Sequence, residues 1–271
     1  MRRYTFSKGH GTRNDFVIID DEHGTEDLTP DIVAALCDRR AGIGADGVLR
    51  VVRARHIAEW QGDPDLWFMD YRNADGSIAE MCGNGLRVFA RHLVNEQREP
   101  AGEFVVATRA GLRQVRIAED GLISTSMGEV TLRGRPVDVE LDGRRWPATG
   151  VDVGNPHAVV SVDADTLPML DLTTAPVWEP AGAFPDGVNV EFVVAENPGE
   201  LNMRVFERGS GETESCGTGV VAVAAAYRDA SGFDGPVQVR VPGGQLSVEF
   251  QGGEAWLTGP AVVYAHGEFW R

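Results

Sequence analysis

The chain has 271 residues, of which 42% are hydrophobic and 24% are charged, as in a globular protein of one large domain or two of ordinary size. Its 41 acidic residues outnumber its 25 basic ones, and the net charge of −16 argues against nucleic acid or an anionic membrane as a partner. Lys8 is the only lysine, so a pyridoxal-phosphate enzyme, which needs a Schiff-base lysine, is not expected.

Short runs of β-branched residues predict most of the secondary structure. Helices are predicted at 29–39, 86–95 and 220–229, the first opened by a cap residue and a proline. Residues 163–185 are expected to form a loop with one helical turn. Because strands outnumber helices and do not alternate regularly with them, we expect an α+β fold rather than a doubly wound sheet. Strands are predicted at 16–20, 47–52, 104–108, 157–162, 188–194, 237–241 and 245–250.

Three widely spaced cysteines, Cys37, Cys82 and Cys216, do not form a disulfide framework, and the sequence has no CxxC or HExxH pattern. We therefore expect no metal site, and we expect Cys37 to be a small buried side chain. The charged N-terminal residues are not followed by an apolar run, and the longest apolar stretch, 220–227, is too short to span a bilayer. These features predict a cytoplasmic protein without a signal peptide or membrane segment.

An internal repeat indicates two homologous domains. Each half contains an asparagine before a strand-like run, then Asp-Gly-Val, then Cys-Gly-x-Gly before an apolar helix. We place the boundary within 121–128, which gives an N-terminal domain of residues 1–124 and a C-terminal domain of residues 125–263. Asp46 and Asp186 are interpreted as turn residues, because Asp-Gly is common in turns. The paired features are Asn14 and Asn155, Asp46-Gly47 and Asp186-Gly187, and Cys82 and Cys216.

The two repeated cysteines are the candidates for chemistry. Each precedes two glycines and a helix, which places its sulfur at a helix N-terminus where backbone N–H groups converge. Such a position is expected to lower the thiol pKa and to bind a carboxylate. Two such sites facing each other across an interdomain cleft suit stereoinversion next to a carboxylate: the thiolate of one cysteine removes a proton, and the thiol of the other delivers one to the opposite face.

Eight short motifs make the chain resemble the diaminopimelate epimerases, a family of cofactor-independent amino-acid epimerases of lysine and peptidoglycan synthesis. The resemblance implies two pseudo-symmetric domains, each a mainly antiparallel curved sheet around a central helix, with the active site in the cleft. It also implies no cofactor and a homodimer. The motifs are Asn14-Asp15-Phe16, Gly42-Ile43-Gly44-Ala45-Asp46-Gly47, Asn73-Ala74-Asp75-Gly76-Ser77, Cys82-Gly83-Asn84-Gly85, Gly154-Asn155-Pro156-His157, Gly187-Val188-Asn189, Glu207-Arg208-Gly209, and Glu212-Thr213 before Cys216-Gly217-Thr218-Gly219.

The resemblance assigns a role to each matching residue. Cys82 and Cys216 are the acid/base pair, and His157 and Glu207 modulate their protonation. We expect Tyr264 to contact a second subunit and residues 264–271 to pack back on the first domain. The residues implied in substrate binding are Asn14, Asn73, Gly83, Asn84, Asn155, Asn189, Glu207, Arg208, Gly217 and Thr218.

Two positions depart from the family pattern. Arg13 stands where a glycine is usual, and Gly47 stands where some relatives place a substrate-contacting glutamine. A left-handed backbone at residue 13 is therefore in question, and the glutamine contact is not carried over.

Other functions fit parts of the sequence. An epimerase or racemase of the same fold that acts on proline or hydroxyproline would leave Arg208 without a second carboxylate to bind. A phenazine-type isomerase uses a carboxylate base, against which the paired cysteines argue. A cysteine hydrolase with Cys216 as nucleophile and His157 as base leaves Cys82 and the repeat unexplained. A non-enzymatic amino-acid-binding protein has no need of a cysteine at both helix ends.

Overall fold

A computed structural model describes residues 2–271. The chain forms two compact units: one runs as far as Thr125 and includes Gly259–Arg271, and the other comprises Ser126–Thr258. Its elements, in order, are β1 (Arg3–Gly11), β2 (Asn14–Asp20), α1 (Pro30–Cys37), β3 (Gly47–Arg53), β4 (Trp67–Asn73), α2 (Gly83–Asn95), β5 (Glu103–Thr108), β6 (Gly111–Ile117), β7 (Ile123–Glu129), β8 (Thr131–Leu141), β9 (Arg144–Asp152), β10 (Pro156–Ser161), β11 (Val177–Glu179), β12 (Asn189–Asn197), β13 (Glu200–Glu207), β14 (Gly211–Thr213), α3 (Gly217–Ser231), β15 (Val237–Val241), β16 (Gly244–Gln251), β17 (Glu254–Gly259) and β18 (Val262–Trp270).

The first unit is a mixed sheet with α2 on its inner face. Its strand order is β18-β1-β2-β3-β4-β5-β6-β7, in which β2–β3 and β4–β5 pair in parallel and the other neighbours are antiparallel. The apolar side of α2 supplies Leu86, Phe89 and Leu93, all fully buried among strand residues. The chain leaves this unit within β7 and returns to it at the end of β17.

The second unit repeats that arrangement. Its strand order is β8-β9-β10-β12-β13-β15-β16-β17, with parallel pairing at β10–β12 and β13–β15. The two parallel pairs therefore occupy the same places as in the first unit. The buried helix α3 connects the second parallel pair through β14, as α2 connects β4 to β5. This correspondence confirms the expected α+β class and its internal duplication.

The local differences from the sequence prediction have simple causes. Helices predicted to begin at Leu86 and Val220 begin three residues earlier, because the glycines after each cysteine already have helical backbone. The predicted loop at 163–185 contains the short strand β11, which pairs with β8, and two 3₁₀ turns, at Leu167–Met169 and Ala181–Ala183. Within residues 2–271, no helix is long and apolar enough to cross a membrane.

Candidate active site

Cys82 occupies the N-cap of α2. Its backbone is extended, and its carbonyl oxygen accepts the first intrahelical hydrogen bond from the Leu86 N–H, at 2.8 Å. Its half-buried Sγ accepts a hydrogen bond from the Gly85 N–H at 3.4 Å. The N–H groups of a helix's first turn have no acceptor within the helix, and the sulfur lies next to them. An anion placed there would meet both.

A chain of hydrogen bonds extends from this helix end across the first unit. The guanidinium of Arg87 donates to Asn84 Oδ1 at 2.8 Å, and Asn84 Nδ2 donates to Asn14 Oδ1 at 3.3 Å. Asn14 Nδ2 then donates to a carboxylate oxygen of Asp46 at 2.8 Å. The Cys82 thiol faces the same Asn14 Oδ1 at 3.7 Å. Asn14 and Asn84, both expected to bind substrate, thus meet beside the sulfur.

Arg87 is the largest side chain buried without solvent contact in this unit, and sequence analysis missed it. It also donates to the Gly83 carbonyl oxygen at 3.2 Å and to Thr12 Oγ1 at 3.4 Å. Burial lowers the pKa of Arg87 to about 10, so the group stays charged at neutral pH. Its signal in the sequence was an arginine within the apolar run that opens the helix, between Leu86 and Val88.

The remaining predicted positions of the first unit lie at strand ends. Asn73 ends β4 and donates to Ser77 Oγ at 3.0 Å. Gly47 pairs with it across β3–β4, and a Cβ at Gly47 would lie 2.5 Å from the Arg72 carbonyl oxygen, so this backbone leaves no space for a glutamine. Arg13 keeps a left-handed backbone, with φ +64°, although it replaces the usual glycine.

Cys216 caps α3 as Cys82 caps α2. Its carbonyl oxygen accepts from the Val220 N–H at 2.9 Å, and the residue is only 5% exposed. Its Sγ lies 3.5 Å from Thr218 Oγ1, which also faces Asn155 Nδ2 at 3.4 Å. Asn155 and Thr218, two of the predicted substrate-binding residues, therefore meet beside the second sulfur.

The expectation that the helix N-terminus lowers the thiol pKa is wrong for Cys216. Burial raises the pKa of this thiol well above its ordinary value, and the nearby charges of Glu207 and Glu191 raise it further. Burial also raises the pKa of the Glu207 carboxyl, which accepts hydrogen bonds from Thr213 and Cys216. At neutral pH Cys216 is thus a protonated thiol that donates a hydrogen bond to Glu207.

His157 belongs to this second site, where it contacts a residue that sequence analysis missed. Its Nδ1 lies 2.7 Å from Glu191 Oε1, and its Nε2 lies 3.0 Å from Asn155 Oδ1. The side chains of both His157 and Glu191 are completely buried. Glu191 interrupts the apolar run of β12, and this buried charge in a strand was the signal available in the sequence.

Arg208 is held at the end of β13 by the neighbouring strand and turn. Its backbone N–H donates to Asn189 Oδ1 at 2.8 Å, and its guanidinium donates to the Asp186 carbonyl oxygen at 2.9 Å. Gly187 has φ +85°, and a Cβ there would lie 2.8 Å from Arg208 Cδ. The Asp-Gly turn therefore leaves space for the arginine, whose side chain remains exposed.

The side chains that pack against the first helical turn after each cysteine differ between the two units. A Cβ added at Gly85 would lie within 3.4 Å of the apolar side chains of Leu49 and Phe16. At the corresponding Gly219 it would lie 2.6 Å from Glu191 Oε1. The strand register supports this correspondence. Phe16 pairs with Gly47 in the first unit, and His157 pairs with Asn189 in the second. Leu49 and Glu191, each two residues further along, therefore occupy equivalent positions. An apolar pair in the first unit is thus a buried histidine and glutamate in the second.

The third cysteine, Cys37, lies outside both sites. Cys37 is buried at the end of α1, and burial raises its pKa to about 12, consistent with a structural side chain. Across residues 2–271, no group of three or more His, Cys, Asp or Glu side chains is arranged to hold a metal ion.

Comparison with known proteins decides the family. The family model described as diaminopimelate epimerase matches residues 6–133 and 149–268. The chain is 53% identical over 277 residues to the diaminopimelate epimerase of Streptomyces coelicolor, covering 98% of this chain and 96% of that one. It is 50% identical to the enzyme of the same name from Thermobifida fusca, with 97% of each chain covered.

The chain belongs to the diaminopimelate epimerase family. This match confirms the family predicted from the sequence motifs. Its members are isomerases.

Solved structures show how widely the fold of these epimerases is shared. A Bacillus anthracis phenazine biosynthesis protein of the PhzF family matches with a TM-score of 0.70 at 16% identity, with 100% of both chains covered. A hydroxyproline epimerase from Agrobacterium vitis matches with a TM-score of 0.69 at 16% identity, over 98% of this chain and 92% of that one. At these identities the likeness establishes the fold alone.

The geometry also bears on the hydrolase alternative to a diaminopimelate epimerase. In a cysteine–histidine pair, one ring nitrogen accepts the thiol proton. Here both nitrogens of His157 face oxygen atoms, those of Glu191 and Asn155. Cys216 instead faces Thr218 and Glu207. The arrangement does not provide the histidine base that such a hydrolase needs.

The glycine contrast yields a stability prediction. Alanine in place of a helical glycine ordinarily gains about 1 kcal/mol. In Gly219→Ala, the new methyl group pushes on a buried carboxylate bound to His157, so we expect a net loss of about 1–3 kcal/mol in the free energy of unfolding. The matched Gly85→Ala meets only apolar atoms and should change it by less than about 1 kcal/mol. Urea unfolding of both variants measures the difference; a Gly219→Ala protein as stable as the parent would contradict the packing described.

Proposed function

We propose that this protein interconverts LL- and meso-diaminopimelate by inverting one α carbon, in the biosynthesis of lysine and peptidoglycan precursors. The observation that carries the proposal is the 53% identity, over nearly the whole chain, to a protein named diaminopimelate epimerase. The duplicated cysteine N-caps support it, because they supply two groups of the same kind for the removal and return of a proton.

In the proposed mechanism the thiolate of one cysteine removes the α proton and the thiol of the other protonates the opposite face. The raised pKa of Cys216 makes it the proton donor of the resting enzyme. After that donation Cys216 is a thiolate, ready to act as the base for the reverse reaction. Glu207 accepts a hydrogen bond from its thiol and helps set its protonation state. Neither a metal nor a cofactor takes part.

The carbanion that forms needs stabilisation without pyridoxal phosphate. We assign the reacting carboxylate to the first-turn N–H groups of the two helices, at Gly83-Asn84 and Gly217-Thr218. Backbone donors fixed before the reaction stabilise charge as it develops, because they need no reorganisation. The helix dipoles add to this effect.

The distal end of diaminopimelate carries a second amine and a second carboxylate. We assign its carboxylate to Arg208, whose planar guanidinium pairs with both oxygens. The remaining polar contacts to the charged ends of the substrate come from Asn14, Asn73, Asn155, Asn189 and Glu207. A racemase of the same fold acting on a cyclic amino acid is the alternative, and it has no second carboxylate for Arg208 to bind.

Epimerisation and its dependence on both thiols test the proposal. Incubation with LL-diaminopimelate in buffer containing a chelator should yield the meso form. Chiral chromatography measures its appearance. Cys82→Ala and Cys216→Ala should each reduce kcat/KM by a factor of about 100 or more, because each removes an acid/base group. Cys37→Ala is the matched control and should retain the parent's activity. No meso product, or full activity in either active-site variant, would refute the assignment.

The distal clamp yields a prediction about a substitution usually regarded as conservative. Arg208→Lys replaces a planar fork by a point charge, and loss of the bidentate pair should reduce kcat/KM roughly 30- to 150-fold, equivalent to about 2–3 kcal/mol. Arg145→Lys, at an exposed arginine paired with Glu140, is the control and should be neutral. A change of less than threefold in Arg208→Lys would show that this side chain does not bind the substrate.

We further propose that the enzyme is a cytoplasmic homodimer, with Tyr264 at the contact. Tyr264 is 54% exposed on β18, near the exposed Val262, and such apolar surface favours association. Tyr264→Glu should convert a dimer into a monomer in analytical ultracentrifugation. Met169→Glu, at a position 79% exposed outside β18, should leave the dimer intact. A monomeric parent protein, or no effect of Tyr264→Glu, would contradict this proposal.

A further inference from the structure

The four side chains Arg87, Asn84, Asn14 and Asp46 form a hydrogen-bonded chain with a fixed direction. An arginine only donates hydrogen bonds, and an ionised carboxylate only accepts them. Since Arg87 donates to Asn84 Oδ1, the Nδ2 of Asn84 must point away from it, toward Asn14. Since Asp46 accepts from Asn14, the Nδ2 of Asn14 must face Asp46. Neither amide can turn over without placing two donors or two acceptors together.

Asp46 is anchored for this purpose. The oxygen that accepts from Asn14 also accepts from the Asp15 backbone N–H at 3.0 Å, while the other oxygen accepts from Arg39 at 2.7 Å. Arg39 in turn donates to Asp15 at 2.7 Å. The carboxylate is therefore held by three donors, and the interpretation of Asp46 as a turn residue accounts for only part of its contacts.

The second unit holds the equivalent asparagine in the opposite sense. Asn155 turns its Oδ1 toward His157 and its Nδ2 toward Thr218. Asn14 turns its Oδ1 toward the residue corresponding to Thr218, which is Asn84. The amide group beside each cysteine is thus reversed between the halves, and the reversal follows from an acceptor at Asp46 and a ring nitrogen at His157.

We propose that Asp46 is a positioning residue for the epimerase reaction: it fixes the Asn14 amide with its carbonyl oxygen toward Cys82 and Asn84. This inference rests on the proposed function, in which Asn14 contacts the substrate. Its consequence is that the acceptor function of Asp46, rather than its charge, matters for turnover.

Two substitutions at one position separate these roles. Asp46→Ala removes the acceptor, leaves Asn14 Nδ2 unpaired and should reduce kcat/KM about tenfold or more. Asp46→Asn keeps an oxygen for Asn14 and the Asp15 N–H. Its new NH2 group faces Arg39, whose exposed side chain can move into solvent, so this variant should stay within about threefold of the parent. Arg39→Ala should resemble Asp46→Asn. If the ion pair with Arg39 were what mattered, all three variants would be equally impaired.

A second measurement needs no turnover. The Asn14 oxygen accepts from the Cys82 thiol and offers no hydrogen bond to the thiolate, so release of the amide should accelerate alkylation of Cys82. We expect iodoacetamide to modify Cys82 about threefold faster or more in Asp46→Ala and at the parent's rate, within twofold, in Asp46→Asn. Peptide mapping by mass spectrometry gives the rates, with the parent protein alkylated in parallel as the reference. Asp186→Ala, in the Asp-Gly turn of the second half, should not alter the Cys82 rate.

Three outcomes of these experiments are distinguishable. Loss in Asp46→Ala with recovery in Asp46→Asn, in both turnover and alkylation, supports the positioning role. Equal impairment of the two variants, or an Asp46→Ala protein that behaves like the parent, overturns it. A parent protein without epimerase activity refutes the proposed function instead, and the alkylation rates alone then decide the role of Asp46. Thermal unfolding of each variant identifies any loss due to misfolding.

Discussion

A helix N-terminus has N–H groups that its own backbone cannot satisfy, and in this protein two such ends begin at a cysteine. The glycines on either side of Asn84 and Thr218 are part of the same constraint, because the first turn must leave the backbone accessible. At Gly85 and Gly219 even a methyl group would meet tightly packed neighbours. Each helix is buried against its own sheet, so the position of each sulfur is set by the core of the unit that carries it.

The duplicated fold supports two sites that are similar in shape and different in chemistry. Beneath Cys82 lie apolar side chains, and the polar contacts are made by asparagines held between Arg87 and Asp46. At Cys216 a buried histidine and two carboxylates surround the thiol, and together with burial these carboxylates raise its pKa. Duplication places a cysteine at the same point of each unit, whereas divergence of the polar residues gives the two thiols different surroundings.

The sequence predicted the α+β class, the duplication and the three helices, because glycine-bounded apolar helices and repeated motifs are local signals. The family resemblance led us to expect residues 264–271 to pack back on the first domain, but the sequence did not predict that they form a strand paired with β1, since residues near the two ends of the chain meet only in the folded protein. The lowered thiol pKa expected for Cys216 was wrong because burial and carboxylates from distant strands outweigh the helix end. Glu191 was missed for the same reason, because strand register rather than spacing along the chain brings it to His157. Arg87 was missed because its partners Gly83 and Asn84 lie within one helical turn, and its burial is set by packing that the sequence does not show.

The central claim is that two different groups remove and return the proton. It is tested most directly by running the reaction in D₂O and analysing both compounds after a few per cent conversion. The account predicts meso product that carries deuterium at the inverted carbon, while the recovered LL-diaminopimelate still carries protium. Product that retains the original protium, or substrate that gains deuterium before it is inverted, would indicate a single base and would contradict the account.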